Sequence, residues 1–420
     1  MSESTLSPPL SPSRERLMLG LLALAQFAVI LDVMVMMPLA PQLMSAFGIG
    51  PSAFSAAVSA YAWCACASGL LAAAYADRFD RKRLLAAMFI LFFLGNVACA
   101  FASNFAALII ARAFSGFSGG VVGGIVMAMV GDAIPASRRG AAISVALTAS
   151  SLASILGVPL AVGMAARFGW ASPFALLAAL SAIICAASCA AIPPMNSHLG
   201  PKASPKETLV QLIALFRESR HREAFALSMA NTTATMLLVP FIAPVLVGNM
   251  GLSPADVGWV YFSGGCSALI TSRFVGRWCD RQGAAQAYCK LSLLFIAPAL
   301  FLTHLPPISL VALACFFPLL ISSMSGRSIS LQAVLASSPA KETRGAFLSA
   351  NLALQQLAGG CAAWIGSLTL HMDPSGRISG YESNGWISAG LCIWAAWWAC
   401  RIRAAPSSPR SGFSTGKAKP

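Results

Sequence analysis

Apolar runs of about 20 residues alternate with short polar segments along most of this chain. A hydrocarbon core of about 30 Å takes about 20 apolar residues to cross as an α-helix, so each run predicts one membrane span. The pattern predicts twelve spans, numbered in chain order: 17–40, 52–75, 84–103, 106–130, 141–165, 172–193, 223–248, 256–276, 285–304, 308–336, 345–371 and 384–402. We therefore predict an all-α membrane protein.

The longest polar interruption divides the spans into two sets of six. It predicts an N-terminal six-helix bundle at 17–193 and a C-terminal six-helix bundle at 223–402, joined by a cytoplasmic linker at 194–222. In the linker, Leu209, Leu212, Ile213 and Phe216 share one helical face, which predicts a short helix on the membrane surface. A plain solvated linker is the alternative. Residues 1–16 and 403–420 are predicted to be disordered cytoplasmic tails.

Charge sets the orientation of these spans. The chain has only 10% charged residues, a mean hydropathy of +0.75 and a formal net charge of +14. Its basic residues cluster in the tails and in loops on one side of the membrane, with five exceptions: Arg112, Arg167, Arg273, Arg327 and Arg377. Because cytoplasmic loops are enriched in Lys and Arg, both termini are predicted to be cytoplasmic. A nucleic-acid partner is not expected, because the basic residues form no continuous face.

The cysteines are predicted to be packing residues. All but a few of the twelve Cys lie inside apolar runs, and no C-x-x-C pair occurs. We therefore expect no metal site.

Two loop motifs recur at nearly the same spacing. The stretch "YADRFDRKRLL" at 75–85 holds six charged residues in the seven positions 77–83. The repeated pairs are Asp77-Arg78 with Asp280-Arg281, 203 residues later, and Arg139-Gly140 with Arg344-Gly345, 205 residues later. Each copy follows the corresponding span of its half. This predicts two parallel six-helix repeats related by a pseudo-two-fold axis.

With these motifs, the chain resembles the major facilitator superfamily over essentially its whole length. "ADRFDRK" is similar to the family's loop G-x-x-x-D-R-x-G-R-K, which Asp77, Arg78, Arg81 and Lys82 match, while Ala73 and Asp80 depart from it. The resemblance implies that this loop and its relatives around Asp280, Arg281, Arg139 and Arg344 gate the cytoplasmic side. Topology-setting charge alone is the alternative.

Only one acidic residue lies deep in a predicted span. Asp32 falls about 22 Å from the cytoplasmic start of span 1, and Arg112 about 9 Å from the outer start of span 4, so the two can pair. A buried carboxylate costs about 2.5–3.5 kcal/mol on insertion scales, which favours a functional role as a proton carrier. The family resemblance associates the Arg of span 4 with proton coupling. A structural hydrogen bond for Asp32 and snorkelling for Arg112 are the alternatives.

Small residues and a proline bend mark spans 4 and 5. Gly116, Gly120 and Gly124 recur every four residues, which predicts close helix packing. In span 5, Gly157, Pro159 and Gly163 resemble the family's antiporter bend, with Gly-Val-Pro in place of Gly-Pro. An ordinary kink is the alternative.

Polar and Met side chains in other spans are candidates for a substrate cavity. They are Gln26, Met36, Asn231, Thr232, Thr235, Arg327, Gln355 and Gln356. Arg327 lies nearer the cytoplasmic end, where its side chain can snorkel. One deep Asp against two deep Arg disfavours a specialised cation exporter and leaves neutral or anionic solutes.

We predict a monomeric secondary transporter of the bacterial inner membrane. The resemblance is closest to drug/proton antiporters and sugar-efflux permeases, which implies proton-coupled export of a small organic solute by alternating access. Its partners are that solute, protons and the lipid bilayer. No cofactor is expected, because the proton gradient supplies the energy and no phosphate-binding loop occurs. The alternatives are a proton-coupled importer and a non-transporting receptor; an enzyme is not expected.

Overall fold

The computed structural model of this chain describes residues 12–134, 138, 142, 145, 148, 149, 152–196, 214–306, 308–339 and 343–402. Helices in the N-terminal half form spans 1 to 6: Pro12–Val35, Pro51–Tyr75, Arg81–Ala100, Phe105–Ala133, the π-helical turn Ala153–Gly157 continued by Val158–Phe168, and Ser172–Ala191. Helices in the C-terminal half form spans 7 to 12: Ser219–Met236 continued by Ile242–Met250, Pro254–Gln282, Ala284–Thr303, Leu310–Ser337, Arg344–Ser367 and Tyr381–Ile402. The predicted fold class, twelve spans in two halves, is confirmed.

Eight described helices are both long and apolar enough to cross a membrane, namely spans 1, 2, 3, 4, 6, 7, 9 and 10. The described part of span 5 is shorter, at Ala153–Phe168. Spans 8, 11 and 12 have 29, 24 and 22 residues, but their Gly, polar and Trp residues lower the mean hydropathy. At 1.5 Å per residue even the shortest of these three covers about 33 Å.

The ends of the spans differ from the predicted boundaries at several points. Span 1 begins at Pro12, so residues 12–16 are helical rather than part of a disordered tail, and Glu15 accepts two hydrogen bonds from Arg138 at 2.8 and 3.0 Å. Residues 1–11 and 403–420 lie outside the described structure. The predicted surface helix of the linker falls mostly on residues 197–213, which also lie outside it. Phe216 packs on Phe225 with ring centroids 5.3 Å apart.

Prolines explain two further breaks. The first span was predicted to reach residue 40, but its helix ends at Val35, before Pro38, and a short helix Ala40–Phe47 follows. In span 7 a 3₁₀ turn, Val239–Phe241, contains Pro240. Proline lacks the backbone N–H that a continuous helix needs, so each helix must be interrupted or bent there.

A small β-hairpin follows span 11 and was not predicted. Strands β1 (His371–Met372) and β2 (Ile378–Ser379) pair antiparallel. Asn249 of span 7 fixes the hairpin, because its side chain both donates to and accepts from the backbone of Ile378 at 2.7 Å. The turn signal Asp-Pro-Ser-Gly at 373–376 was present in the sequence.

The described residues form one apolar core that both halves share, at one end of the molecule, and spans 2 and 11 stay in contact further along, at Gly69 and Ala353. At the end opposite to the chain termini, one cluster of buried residues runs from the ends of spans 1 and 7 into the starts of spans 2, 4, 8 and 10. At the termini end, the described residues form two separate clusters, one in each half. The halves are therefore packed together at the opposite end and have independent cores at the termini end.

Candidate functional site

Asp32 and Arg112 form a buried ion pair between spans 1 and 4. Arg112 Nη1 donates to Asp32 Oδ1 at 2.7 Å, and Arg112 Nη2 lies 3.5 Å from the backbone oxygen of the same Asp. Their exposed fractions are 0% for Asp32 and 1% for Arg112. The arginine thus does not snorkel to the membrane surface. Because both side chains are taken out of water, each charge depends on the other for its stability.

Tyr61 of span 2 is a third member of this site, which sequence reasoning missed. The Arg112 Cζ atom lies 4.3 Å from the centroid of the Tyr61 ring, a cation–π contact worth about 2 kcal/mol when water is excluded. The Tyr61 side chain is buried. Its signal was available, because the chain has only five Tyr and a mid-span Tyr usually needs a polar partner.

Glycines of span 4 make this arrangement possible. A side chain at Gly116 would collide with the backbone of Tyr61, and one at Gly120 would collide with the backbone of Ala65. Both glycines therefore let span 2 approach span 4 closely, as their spacing of four residues predicted, whereas Gly124, the third of the set, has open space around it. The close approach places the ring of Tyr61 against the guanidinium of Arg112.

The site keeps polar atoms that are not used in hydrogen bonds. Within the described residues, Asp32 Oδ2, Arg112 Nε and the Tyr61 hydroxyl are buried and have no hydrogen-bond partner. The Gln26 side-chain oxygen, six residues before Asp32 on span 1, is also buried and has no hydrogen-bond partner among the described residues. Oδ2 is therefore the carboxylate oxygen that can accept a proton without first losing a hydrogen bond.

Polar residues of spans 7 and 11 form a second group. Gln355 donates to the Ser228 hydroxyl at 2.8 Å and so connects span 11 to span 7. The hydroxyls of Thr232 and Thr235 donate to carbonyl oxygens of their own helix at 3.1 and 3.0 Å. Asn231 Oδ1 lies 3.5 Å from the Tyr288 hydroxyl. Gln356 is half-buried.

Two further residues proposed for the cavity, Met36 and Arg327, are buried. Met36 is buried in the apolar core that joins the halves, because the chain leaves the helix of span 1 before it and turns into the short helix Ala40–Phe47. Arg327 is fully buried and does not snorkel; its Cζ atom lies 4.5 Å from the Phe295 ring centroid. Span 10 directs this arginine into its own half, toward span 9.

Charged residues between spans 2 and 3 form hydrogen bonds that connect and cap the ends of neighbouring helices. Arg81 Nε donates to Asp132 Oδ2 at 2.9 Å and so joins the start of span 3 to the end of span 4. Asp80 accepts from the backbone of Arg83 at 2.9 Å and of Met195 at 3.1 Å. An Asp where the family pattern has Gly therefore serves here as a helix cap.

The other proposed gating residues lie at helix ends on the same side. Arg78 stacks over Tyr75 at 5.2 Å, and Lys82 is half-buried. Asp280 and Arg281 are exposed in the last turn of span 8. Asp77 lies in the 3₁₀ turn Ala76–Arg78, and Arg344 opens span 11. Arg139 lies outside the described residues. Gating by these residues stays a prediction.

Span 5 is irregular where the bend was predicted. The π-helical turn Ala153–Gly157 directly precedes Pro159. A side chain at Gly157 would come within 2.7 Å of Leu31, so this glycine brings span 5 close to span 1, one residue before Asp32 in the sequence. Gly163 has open space around it. The irregular turn therefore lies against the helix that carries the buried acid.

The chain is similar to known proteins over most of its length. The family model described as Major Facilitator Superfamily matches residues 22–363. "Uncharacterized MFS-type transporter YfhI" of Bacillus subtilis (strain 168) is 24% identical over 359 residues, 83% of this chain and 84% of that protein. "Uncharacterized MFS-type transporter YwfA" of the same organism is 30% identical over 124 residues, so the match spans only 30% of either protein.

A solved structure agrees in fold. It is a bacterial homolog to the human lysosomal transporter Spinster, in an inward-facing and occupied conformation. The TM-score is 0.75 at 14% sequence identity, and the alignment covers 94% of this chain and 98% of that one. At this identity the likeness concerns the fold alone.

Proposed function

Because this chain belongs to the Major Facilitator Superfamily, and is therefore a membrane transporter rather than an enzyme, we propose that it is a proton-coupled antiporter that exports a small organic solute. We place it in the bacterial inner membrane with both termini in the cytoplasm, as the distribution of Lys and Arg favours. The proposal rests on one observation, the buried pair of Asp32 and Arg112.

The pair supports proton coupling for an electrostatic reason. An Asp⁻ and an Arg⁺ at 2.7 Å are jointly neutral, so the pair is tolerated in a dry interior. A proton on Asp32 removes this attraction and leaves Arg112 without its counter-charge. Protonation therefore changes which arrangement of spans 1 and 4 is favoured, which is what coupling a proton to a conformational change requires.

The distribution of apolar cores supports alternating access. The halves are joined at the end opposite to the termini and have separate cores at the termini end. With cytoplasmic termini, this is an arrangement whose outer end is closed by the shared core. Asp32 is 0% exposed in it, so proton exchange with the outside requires the opposite end to open. We propose that rocking of the two halves opens that end and exposes the carboxylate.

Export is favoured over import by the bend in span 5. The π-helical turn and Pro159 lie where the antiporter motif is expected, against span 1 and its acid. The motif departs from the family pattern in its Gly-Val-Pro sequence. Import together with a proton is therefore the second candidate, and the two have opposite responses to a pH gradient.

The sign of the driving gradient tests this proposal. Purified protein is reconstituted into liposomes whose lumen is either more acidic or more alkaline than the bath, and labelled lactose, ethidium and benzoate are offered as a neutral, a cationic and an anionic solute. An antiporter accumulates its solute when the lumen is acidic, because protons leave as solute enters. A symporter accumulates it when the lumen is alkaline. These signs do not depend on how the protein is oriented in the liposome.

Replacement of Tyr61 tests whether its ring positions Arg112. Tyr61→Leu removes the cation–π contact, worth up to about 2 kcal/mol, so proton-driven transport should fall by up to about 30-fold. Its pH profile should shift as well, because Arg112 is no longer held in register with Asp32. Tyr61→Phe keeps the ring and should stay near the wild-type rate. The measurement is initial uptake against pH.

Tyr75→Leu is the matched control for this variant. Tyr75 is also on span 2 and also carries an arginine, Arg78, over its ring, but at the exposed end of the helix. Its replacement should leave the pH profile unchanged. If Tyr61→Leu lowers the rate without moving the profile, as in a merely structural role, Tyr61 does not position the coupling pair.

A further inference from the structure

Arg327 is a fully buried cation, and the described residues of the C-terminal half place no carboxylate in contact with it. Its exposed fraction is 0%, and within the described residues none of its three guanidinium nitrogens has a hydrogen-bond acceptor in bonding geometry. The side chain lies over the Phe295 ring at 4.5 Å. A buried guanidinium normally finds a carboxylate or several carbonyl oxygens, because its desolvation is otherwise not offset.

The sequence shows that no carboxylate of the C-terminal half lies at this level. Arg327 is ten residues before the end of span 10, or about 15 Å from the termini side. The acids beyond residue 223 are Asp256, Asp280, Glu342, Asp373 and Glu382. Asp256, Asp280, Asp373 and Glu382 lie in loops or in the first or last turn of a span, and Glu342 lies outside the described residues. None of the four described acids can reach a charge so far inside the half.

In the N-terminal half, the buried arginine does have a carboxylate partner. Its buried arginine, Arg112, is also on the fourth span of its half, and it has both an aromatic ring and a carboxylate, those of Tyr61 and Asp32. Arg327 has the ring of Phe295 but not the acid. Within the described residues of the C-terminal half, the buried Arg327 therefore has no carboxylate to neutralise its charge.

Polar groups surround this charge. Tyr288 of span 9 and Cys392 of span 12 are close enough to interact with the guanidinium. The Tyr288 hydroxyl lies 3.5 Å from Asn231 Oδ1 of span 7, the helix that also carries Ser228 with its bond to Gln355 of span 11. Hydroxyl and amide groups thus lead from Arg327 to spans 7 and 11, on the side of the other half.

We propose that Arg327 is the centre of an anion-binding site in the C-terminal half, with Tyr288 and Asn231 as its polar neighbours. The ligand is a singly charged anion: either the carboxylate of a transported organic acid or a free inorganic anion such as chloride. A guanidinium presents paired N–H donors that match a carboxylate, and the Phe295 ring suits an apolar body beside it. The identification of the anion as a transported organic acid rests on the proposed transport function. The binding of an anion at Arg327 does not depend on that function.

Anion binding is measured on the detergent-purified full chain without any transport assay. Benzoate and chloride are titrated separately, at ionic strength held constant with sulfate, while the unfolding midpoint and the intrinsic fluorescence are recorded. We expect saturable binding of at least one of the two anions. Arg327→Gln should weaken it at least tenfold, and Arg327→Lys should weaken it less, because the charge remains. Benzoate binding that chloride does not displace identifies an organic substrate; chloride binding alone identifies a resident inorganic anion.

Arg401→Gln is the matched control. Arg401 also stacks on an aromatic ring, that of Trp397 at 3.8 Å, but it is exposed at the end of span 12. Its replacement should leave both titrations unchanged. Failure of the wild-type chain to bind either anion, or Arg327→Gln binding within twofold of wild type, overturns the site. Binding that depends on Arg327 without proton-driven flux in liposomes would instead refute the transport proposal and leave the site in place.

Discussion

Asp32→Asn is expected to abolish proton-driven accumulation while leaving exchange of solute intact. Asn keeps the shape of the side chain but cannot gain or lose a proton at the pH values at which transport is measured. With one proton per solute, a gradient of one pH unit is worth about 1.4 kcal/mol, or about tenfold accumulation. The variant should show none. Exchange of labelled for unlabelled solute needs no net proton movement, so it should continue. Both are measured in the liposomes described above.

A second variant separates loss of coupling from loss of folding. Asp32→Asn alone leaves Arg112 buried without its partner, and breaking a buried pair in this way costs about 3–5 kcal/mol. Asp32→Asn combined with Arg112→Gln removes both charges and should recover stability but not coupling. Asp373→Asn changes an acid in the exposed hairpin turn and should behave as wild type. Full accumulation by either Asp32 variant would rule out this residue as the proton carrier.

The spans could be predicted because a membrane imposes one rule on all of them. Every backbone N–H and C=O in hydrocarbon must be satisfied within the helix, so long apolar runs predict most of the spans. Their ends were less predictable. The first span stops before Pro38, and the seventh is broken at Pro240, since each proline removes a donor from the helix. The hairpin after span 11 depends on a contact with Asn249, which is distant in sequence.

The site was only partly predictable. The position of a residue along a span gives its depth in the membrane, but it does not show which neighbouring helix the side chain faces. Depth along spans 1 and 4 indicated that Asp32 and Arg112 can pair, and they do. Depth could not show that Tyr61 faces the same pair, since that depends on how span 2 packs on glycines of span 4. For the same reason depth left open whether Arg327 faces a cavity or reaches the surface, whereas span 10 turns it into the bundle.

Locking the end opposite to the termini should stop transport completely. There the Ser55 hydroxyl of span 2 donates to the Ser367 hydroxyl of span 11 at 2.8 Å, a direct contact between the two halves. Cysteines at both positions lie close enough for a disulfide. When Ser55→Cys and Ser367→Cys are combined and oxidised with copper phenanthroline, the halves can no longer separate at this end. Uptake and exchange should both fall at least about tenfold, because each requires opening, and dithiothreitol should restore them.

An equivalent link within one half distinguishes opening of the halves from a general effect of cross-linking. Thr271 of span 8 and Ser322 of span 10 are in hydrogen-bond contact at the same distance, 2.8 Å, but both belong to the C-terminal half. If that half moves as a unit, Thr271→Cys with Ser322→Cys should transport normally after oxidation. The variants with only one new cysteine, oxidised in the same way, show whether the native cysteines form cross-links that affect transport. Normal transport by the oxidised Ser55→Cys and Ser367→Cys protein would mean that the opposite end need not open, and Asp32 would then have no route to the outer proton pool.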